Sequence, residues 1–266
     1  ILCGANILLQ GEVIIHDTLQ SCGSYNLNFD IDGNLINNGV FLEPSTYWNT
    51  SVNISGNIEN NGEWIRITTH LSGTGTHEIS QAPGSEFYDE YFYADAGTGA
   101  TTALTDINFR ECHIDFNDNE LILQGNLSIT DERMIDAVIS GNSNQLYMSG
   151  SEARLISTTI SDVTIAGKVR LASGNTFEGE IIVQDTLENY TGQNSTLAIN
   201  GNITNNGVIR DYSSSWDLII FSNGNIINDG EWTNNEINMN SGAVQHITCL
   251  NDHFFDMELF EVTYNT

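Results

Sequence analysis

The segment 81–102 contains the residue types that bind sugars. It interleaves aromatic and acidic side chains: Phe87, Tyr88, Tyr91, Phe92 and Tyr93 with Glu86, Asp89, Glu90 and Asp95. An aromatic face can stack on a sugar ring, while carboxylates accept hydrogen bonds from its hydroxyls. We therefore predict that a ligand contacts five of them: Tyr88, Asp89, Tyr91, Phe92 and Tyr93. The alternative is that the rings only form a satellite core over one side of the fold.

Two groups of oxygen-bearing side chains could bind Ca²⁺. Asp30 and Asp32 occupy alternate positions, as at the start of a calcium loop, although Phe41 stands where the twelfth-position glutamate would be. Asp115 and Asp118 lie in a second oxygen-rich cluster. Solvated turns are the alternative at both places. We keep these four aspartates as metal candidates and Ca²⁺ as the candidate ion.

Catalytic patterns are scarce. The six histidines are scattered, and there is no nucleophile elbow, phosphate-binding loop or His-x-x-x-His. A lyase acting on acidic sugars needs Arg or Lys near the substrate carboxylate, and Lys168 and Arg170 are the basic pair close in sequence. The 35 acidic residues leave open the hypothesis of a hydrolase that uses a pair of carboxylates. We predict no catalytic residue, with a carbohydrate-active enzyme as the alternative.

The charge balance excludes some partners. Seven basic residues stand against 35 acidic ones, a formal net charge of −28. Such a surface repels nucleic acid, which is held mainly by Lys and Arg at phosphates. No stretch is continuously apolar over the length that a membrane span requires, so we expect no membrane insertion. The first residues do not resemble a signal peptide, and we expect a mature fragment or an excised piece.

The cysteines give no zinc pattern. They are Cys3, Cys22, Cys112 and Cys249. The offset between Cys3 and Cys22, 22 − 3 = 19, is nearly one repeat of the fold predicted below, so a disulfide between them is one option. Four small buried side chains are the other.

An internal repeat determines the fold prediction. Four segments share the pattern Gly-Asn-apolar-x-Asn-Asn/Asp-Gly: Gly33–Gly39, Gly56–Gly62, Gly201–Gly207 and Gly224–Gly230. The first two starts are offset by 56 − 33 = 23 and the last two by 224 − 201 = 23, while the two pairs are offset by 201 − 33 = 168. Residues 11–98 therefore correspond to residues 179–266 as an internal duplication.

Short coils explain this period. Val, Ile and Thr alternate with polar residues, as in strands, and the Asn-Gly segments are turn signals. We predict an all-β fold, a right-handed parallel β-helix with coils of about 22–23 residues and three short strands each. Residues 1–266 form one such segment, with 81–102 as a projecting loop. β-Hairpins are the alternative, but they do not explain the period.

Stacked coils predict a structural ladder at the turns. Asn37, Asn60, Asn205 and Asn228 occupy equivalent positions of the repeat. In superposed coils, their side chains can hydrogen-bond to turns of neighbouring coils and satisfy buried backbone groups.

The repeat also resembles a known family. The Gly-Asn-apolar-x-Asn-Asn-Gly-x-aromatic series, followed by Ser72–Ile79 and Asp106–Phe109, is similar to β-helical repeats of large Bacteroidota-type surface adhesins exported by the type IX pathway. The similarity covers roughly residues 11–125 and 179–250. It implies a secreted or cell-surface location. Asp-Thr-Leu at Thr18 and Thr186 resembles the O-glycosylation site of these bacteria; a strand edge kept by duplication is the alternative.

These observations favour a scaffold over an enzyme, since the duplication preserves turns and core. We predict a structural or adhesive β-solenoid segment of a larger secreted or cell-surface protein. Its expected partners are glycans or surface components and other segments of the same long chain. An ice- or mineral-binding surface is weaker, because no rank of threonines repeats at the coil period.

Overall fold

The computed structural model describes residues 6–21, 26–190, 192–212, 214–234, 236–239, 241–251, 255–256 and 259–262. The fold is all-β, and parallel stacked coils form a β-solenoid of about 11 turns, which confirms the predicted fold class. The chain separates into two compact units, Ile1–Val138 and Ile139–Thr266, here called unit 1 and unit 2. Across the described residues, no helix is long and apolar enough to cross a membrane.

Unit 1 consists of short strands. They are β1 (Asn6–Gln10), β2 (Val13–Ile15), β3 (Thr18–Gln20), β4 (Leu27–Asp32), β5 (Leu35–Asn37), β6 (Val40–Leu42), β7 (Thr50–Ile54), β8 (Ile58–Asn60), β9 (Glu63–Ile65), β10 (Ile67–Leu71), β11 (His77–Gln81), β12 (Glu86–Tyr88), β13 (Tyr91–Ala94), β14 (Thr101–Ala103), β15 (Ile107–Arg110), β16 (His113–Asp115), β17 (Glu120–Leu123), β18 (Leu127–Thr130) and β19 (Arg133–Ile135). A further strand, β20 (Val138–Ser140), crosses the unit boundary.

Every third strand of unit 1 joins the same parallel ladder. Ladder 1 contains β1, β4, β7, β10, β13, β16 and β19. Ladder 2 contains β2, β5, β8, β11, β14 and β17. Ladder 3 contains β3, β6, β9, β12, β15 and β18. Each coil therefore has three strands, and the parallel pairing excludes the hairpin alternative.

Unit 2 has the remaining strands, two of them long. They are β21 (Gln145–Ser149), β22 (Arg154–Ile156), β23 (Thr159–Leu171), β24 (Asn175–Val183), β25 (Thr186–Asn189), β26 (Ser195–Ile199), β27 (Asn202–Asn205), β28 (Val208–Arg210), β29 (Leu218–Ser222), β30 (Ile226–Asn228), β31 (Glu231–Thr233), β32 (Glu236–Met239), β33 (Ile247–Cys249) and β34 (Leu259–Val262). β23 turns two corners, at Asp162 and Gly167, where φ is positive. It thereby contributes to three ladders.

Coil length is less regular than the sequence period predicts. Leu27 pairs with Thr50, an offset of 50 − 27 = 23, but Ser51 pairs with Thr68, an offset of 68 − 51 = 17. In unit 2, Ile219 pairs with Glu236, again 236 − 219 = 17. Because 219 − 51 = 168, the shortened coil recurs at the spacing of the sequence duplication.

The inward side chains form a continuous apolar core. In unit 1, edge-to-face aromatic pairs run through it from Phe29 to Phe41, Trp64 and Phe87, with ring centroids 5.1–5.9 Å apart. Such pairs add about 0.5–1.5 kcal/mol beyond their buried area. The core therefore fixes the register of neighbouring coils.

Asparagines fill buried corners of both units. The Asn37 amide donates to Asn60 Oδ1 (3.0 Å) and to the Glu63 carbonyl (2.9 Å). In unit 2, the Asn205 amide donates to Asn228 Oδ1 (2.8 Å). Each pair is 23 residues apart in sequence. The bond to the Glu63 carbonyl satisfies a backbone group that would be costly to bury alone.

The prediction of a projecting loop at 81–102 is wrong. The segment includes β12 and β13, which pair with β9 and β10 of the preceding coil. Its proline and first glycine belong to a tight turn, in which the Ser85 amide donates to the Ala82 carbonyl (3.1 Å). Alternation of inward and outward aromatic rings is a strand pattern, and this pattern outweighs the turn residues.

Two of the four cysteines can be described. Cys112 is buried and Cys249 is exposed, and both are free thiols. Burial raises the pKa of the Cys112 thiol well above its ordinary value. Cys3 and Cys22, for which a disulfide was an option, lie outside the described residues.

Candidate functional site

A cleft of about 290 Å³ lies at one corner of unit 1, where ladder 3 strands turn into ladder 1 strands. We call it the corner cleft; its lining is Glu43, Ser45, Thr46, Trp48, Asn49, Arg66, Tyr88, Asp89, Glu90 and Glu111. Equivalent turns of four successive coils supply these side chains. Two aromatic rings, one cation and several carboxyl and hydroxyl groups therefore face one small volume.

Asp89 is a buried carboxyl group of the corner cleft. It is 1% exposed, and Oδ2 accepts a hydrogen bond from the Thr69 hydroxyl (2.5 Å). Oδ1 and the indole nitrogen of Trp64 are buried, and neither has a partner at normal hydrogen-bond geometry among the described residues. Burial raises the pKa of Asp89 well above its ordinary value, and the Thr69 hydroxyl acts in the opposite direction. Burial therefore favours the protonated form of this carboxyl group.

Glu43 has a more complete set of partners. Its Oε2 accepts from the Thr50 hydroxyl (2.6 Å), and its Oε1 accepts from the Ser45 amide (2.8 Å). The guanidinium of Arg66 donates to the Glu43 carbonyl (2.8 Å) from a residue with φ of 54°. These contacts hold the floor of the corner cleft in one arrangement.

Tyr88 forms a wall that is covered on one face. The guanidinium carbon of Arg110 lies 4.2 Å from the Tyr88 ring centroid, and Arg110 pairs with Glu86 (2.9 Å). The Tyr88 hydroxyl donates to Glu111 (3.3 Å). A cation over an aromatic face is stabilising by about 0.5–1 kcal/mol when exposed. The stack therefore fixes the ring beside the cleft.

Four aromatic rings continue along the outward side of ladder 1. We call them the tyrosine strip: His70, Tyr91, Tyr93 and His113. Tyr91 and Tyr93 stack with centroids 5.4 Å apart and planes 9° apart. His70 lies 5.0 Å from Tyr93, and His113 lies 5.3 Å from Tyr91. The strip is a preformed, half-buried aromatic surface across three successive coils.

Carboxylates border the tyrosine strip. His70 Nδ1 lies 3.6 Å from an oxygen of Asp95. Asp115 is aligned with Tyr93 on the neighbouring strand. Burial, together with Tyr91 and Asp115, raises the pKa of Tyr93. The Tyr93 hydroxyl is therefore a neutral hydrogen-bond donor at physiological pH.

Most of the predicted ligand residues lie in these two places, and one prediction is wrong. Tyr88 and Asp89 line the corner cleft, and Tyr91 and Tyr93 form the centre of the strip. Phe92 is fully buried and packs against Phe87 and Phe109, because successive strand residues point to opposite faces. It cannot touch a ligand at the surface.

Sequence reasoning missed several residues of these surfaces. His70 pairs with Tyr93, an offset of 93 − 70 = 23, and Tyr91 pairs with His113, an offset of 113 − 91 = 22, so the coil period itself was the available signal. Trp48 of the corner cleft lies in a turn between strands, and its recurrence as Trp216, an offset of 216 − 48 = 168, was the available signal.

The metal candidates make contacts of their own. Asp30 accepts from the amide of Asn53 (2.6 Å), and Asp32 accepts from the Ser55 hydroxyl (3.2 Å). Asp115 accepts from the Asn117 amide (2.9 Å), and Asp118 is exposed with φ of 60°. In the described part of the chain, no group of three or more His, Cys, Asp or Glu residues is arranged to hold a metal ion.

The two threonines of the glycosylation pattern begin equivalent strands. Thr18 opens β3 and Thr186 opens β25, and each hydroxyl donates to the preceding aspartate (3.3 and 3.1 Å). These contacts also fit the strand-edge alternative.

No protein-family model matches the chain, and neither a curated protein nor a solved structure matches it.

Proposed function

We propose that this chain is a structural and adhesive β-solenoid segment that binds neutral glycans along the tyrosine strip and in the corner cleft. The observation that carries the proposal is the row of four rings bordered by carboxylates. Rings can stack on the apolar faces of sugars, and the oxygens can accept from sugar hydroxyls. Rigid aromatic side chains lose little entropy on binding.

The net charge of −28 supports a neutral ligand for unit 1. Glu43, Glu90 and Glu111 line the corner cleft, against one arginine. A polyanionic sugar would be repelled there, whereas hydroxyl-rich neutral sugars find acceptors.

We also propose, from the resemblance stated above, that the chain belongs to the setting of Bacteroidota-type surface adhesins of the type IX pathway. In this setting the protein is secreted or displayed on the cell surface. Stacked coils give the parent chain length and rigidity, and the tyrosine strip provides a contact for glycans or surface components. The repeats at Gly33–Gly39 and Gly201–Gly207 support this assignment.

A glycan array probed with the full chain tests the proposal. We expect binding to neutral oligosaccharides and a loss of about tenfold or more in the Tyr91→Ala/Tyr93→Ala double variant, equivalent to about 1.4 kcal/mol. Tyr212→Ala removes an exposed tyrosine of unit 2 and is the matched control. Equal binding by the double variant and the wild type would overturn the tyrosine strip as the contact.

A carbohydrate-active enzyme is the second candidate, favoured by Asp89. A carboxylic acid with raised pKa beside other carboxyls is the arrangement that glycosidases use for general acid catalysis. Incubating the full chain with the array-positive sugars discriminates the two functions. Cleavage that disappears in Asp89→Asn would identify an enzyme, and binding without cleavage supports the adhesive function.

A further inference from the structure

Basic residues converge in unit 2 of this acidic protein. Four of the seven in the chain are Arg154 on β22, Lys168 and Arg170 on β23, and Arg210 on β28. Arg170 pairs with Glu188 on β25, which pairs with Arg210. Leu155 pairs with Leu171, so Arg154 lies beside Arg170 on the adjacent strand. These strands concentrate positive charge on one ladder.

Glu188 balances only part of this charge. Its side chain is fully buried, with Arg170 Nε 3.0 Å from Oε1 and Arg210 Nη2 3.0 Å from Oε2. Lys168 Nζ is more distant, 3.8 Å from Oε1. Three cations surround this one carboxylate. The Lys168 side chain is 40% exposed and can meet a second anion.

A shallow depression of about 510 Å³ opens beside Lys168. Arg170 Nη1 donates to the carbonyl oxygens of Gly150 (2.7 Å) and Ser151 (3.0 Å). These two hydrogen bonds hold one wall of the depression. Ser149 and Asp185 also line the depression. Cation, hydroxyl and carboxylate groups are therefore combined within one concave surface.

An aromatic ring completes this depression. Tyr147 is 44% exposed, and its ring lies against the backbone of Gly167. A Cβ at Gly167 would lie 2.9 Å from that ring and 2.3 Å from the Met148 carbonyl oxygen, and φ there is +69°. A Cβ here would clash with that carbonyl oxygen, and glycine adopts a positive φ more readily than other residues. The glycine thus allows the ring to lie next to Lys168.

We propose that this depression binds a hexuronate, a sugar residue that carries a carboxylate. Lys168 pairs with the carboxylate, Tyr147 stacks on the sugar ring, and Asp185 and the serine hydroxyls bond its hydroxyl groups. Arg170 and Arg210 hold Glu188 and the wall in position. The site differs from the neutral-glycan surface of unit 1 in location and charge. Because the whole chain is acidic, short uronate oligomers fit it better than long polyanions.

Calorimetric titration of the full chain with trigalacturonate, with trigalactose as the neutral match, tests this site. We expect heat of binding with the uronate alone, weakened by salt because the contact is ionic. Lys168→Gln and Tyr147→Ala each lower affinity at least tenfold, while Lys168→Arg keeps most of it. Arg133→Gln, a cation of unit 1, is the matched control and leaves the affinity unchanged.

The outcomes separate this proposal from the function proposed for unit 1. The Tyr91→Ala/Tyr93→Ala variant should bind trigalacturonate like the wild type. Unchanged affinity in Lys168→Gln, or equal affinity for trigalactose, overturns the hexuronate site. Equal competition by inorganic phosphate and by galacturonate also overturns it, because the site would then select charge alone. Circular dichroism of each variant verifies the fold.

Discussion

Asp89 in unit 1 and Glu188 in unit 2 are two buried carboxyls with opposite surroundings. Asp89 accepts a hydrogen bond from a threonine hydroxyl, and burial raises its pKa. Glu188 is encircled by Arg170, Arg210 and Lys168. Burying an unpaired ionised carboxylate is costly, so a protein either keeps the group protonated or surrounds it with cations. The two units use different solutions.

The internal duplication shows that the charged surroundings of Glu188 are confined to one copy of the repeat. Since 188 − 20 = 168 and 210 − 42 = 168, Glu188 corresponds to Gln20 and Arg210 corresponds to Leu42. The strands that carry them, β3 and β6 against β25 and β28, have equivalent parallel pairing. The same backbone therefore carries a glutamine and a leucine in one copy and a glutamate–arginine ion pair in the other. Chemistry in this fold is set by a few side chains on a constant framework.

The largest expected effect comes from Glu188→Gln. The substitution leaves the nearly buried Arg170 guanidinium without its carboxylate, which costs about 3–5 kcal/mol for a broken buried pair. Urea unfolding of the full chain followed by circular dichroism gives the change in stability. Hydrogen exchange of peptides that cover β25 and β28 should locate it.

Glu152→Gln is the matched control for that prediction. Glu152 is exposed and pairs with Arg154 (3.2 Å), so its loss should change stability by less than about 1 kcal/mol. If Glu188→Gln lowers the free energy of unfolding no more than this control does, burial of the cations does not require Glu188. The contrast with Asp89 then fails.

The second effect is a pH dependence at Asp89. Its folded pKa is raised, so its contribution to stability is fully present below the unfolded pKa of about 3.9 and is lost as pH rises toward the folded value. In that window the unfolded chain has released the proton and the folded chain retains it. Wild-type stability should therefore fall by about 1.4 kcal/mol per pH unit relative to Asp89→Asn.

Urea unfolding of both proteins at several pH values from 4 upward measures this difference. Glu59→Gln, an exposed carboxylate of unit 1, should keep the wild-type pH profile. Parallel profiles of Asp89→Asn and wild type would show that Asp89 is ionised in the folded protein throughout, contrary to the argument from burial.

Much of the framework could be predicted from the sequence. The spacing of the Asn-Gly turns predicted parallel coils and placed Asn37 beside Asn60, because equivalent positions of a stacked repeat must superpose. The inward position of Phe92 was also available from the alternation of Tyr91, Phe92 and Tyr93. The glycine and proline near this segment favoured a loop, although they form only a tight turn.

The two carboxyl environments could not be predicted. Arg170 reaches Glu188 across a coil offset of 188 − 170 = 18, so the offset of the Asn-Gly repeats, 56 − 33 = 23, does not align them. The corner cleft depends on turns whose lengths vary between coils, such as the turn that contains Trp48. Sequence periodicity fixes strand positions, but side chains at irregular corners depend on the actual three-dimensional path of each turn.

The smallest expected effect is that of Lys168→Gln on stability. Lys168 is 3.8 Å from Glu188 and 40% exposed, and two arginines already hold the carboxylate, so the loss should stay below about 1 kcal/mol. The same urea titration used for Glu188→Gln measures it. A loss as large as that of Glu188→Gln would make Lys168 an equal member of the buried ion cluster. A small loss means that Lys168 is not required to balance Glu188. The charge of Lys168 is then available to an anion from solution. Unit 1 differs, because Asp89 has no cation among its described contacts.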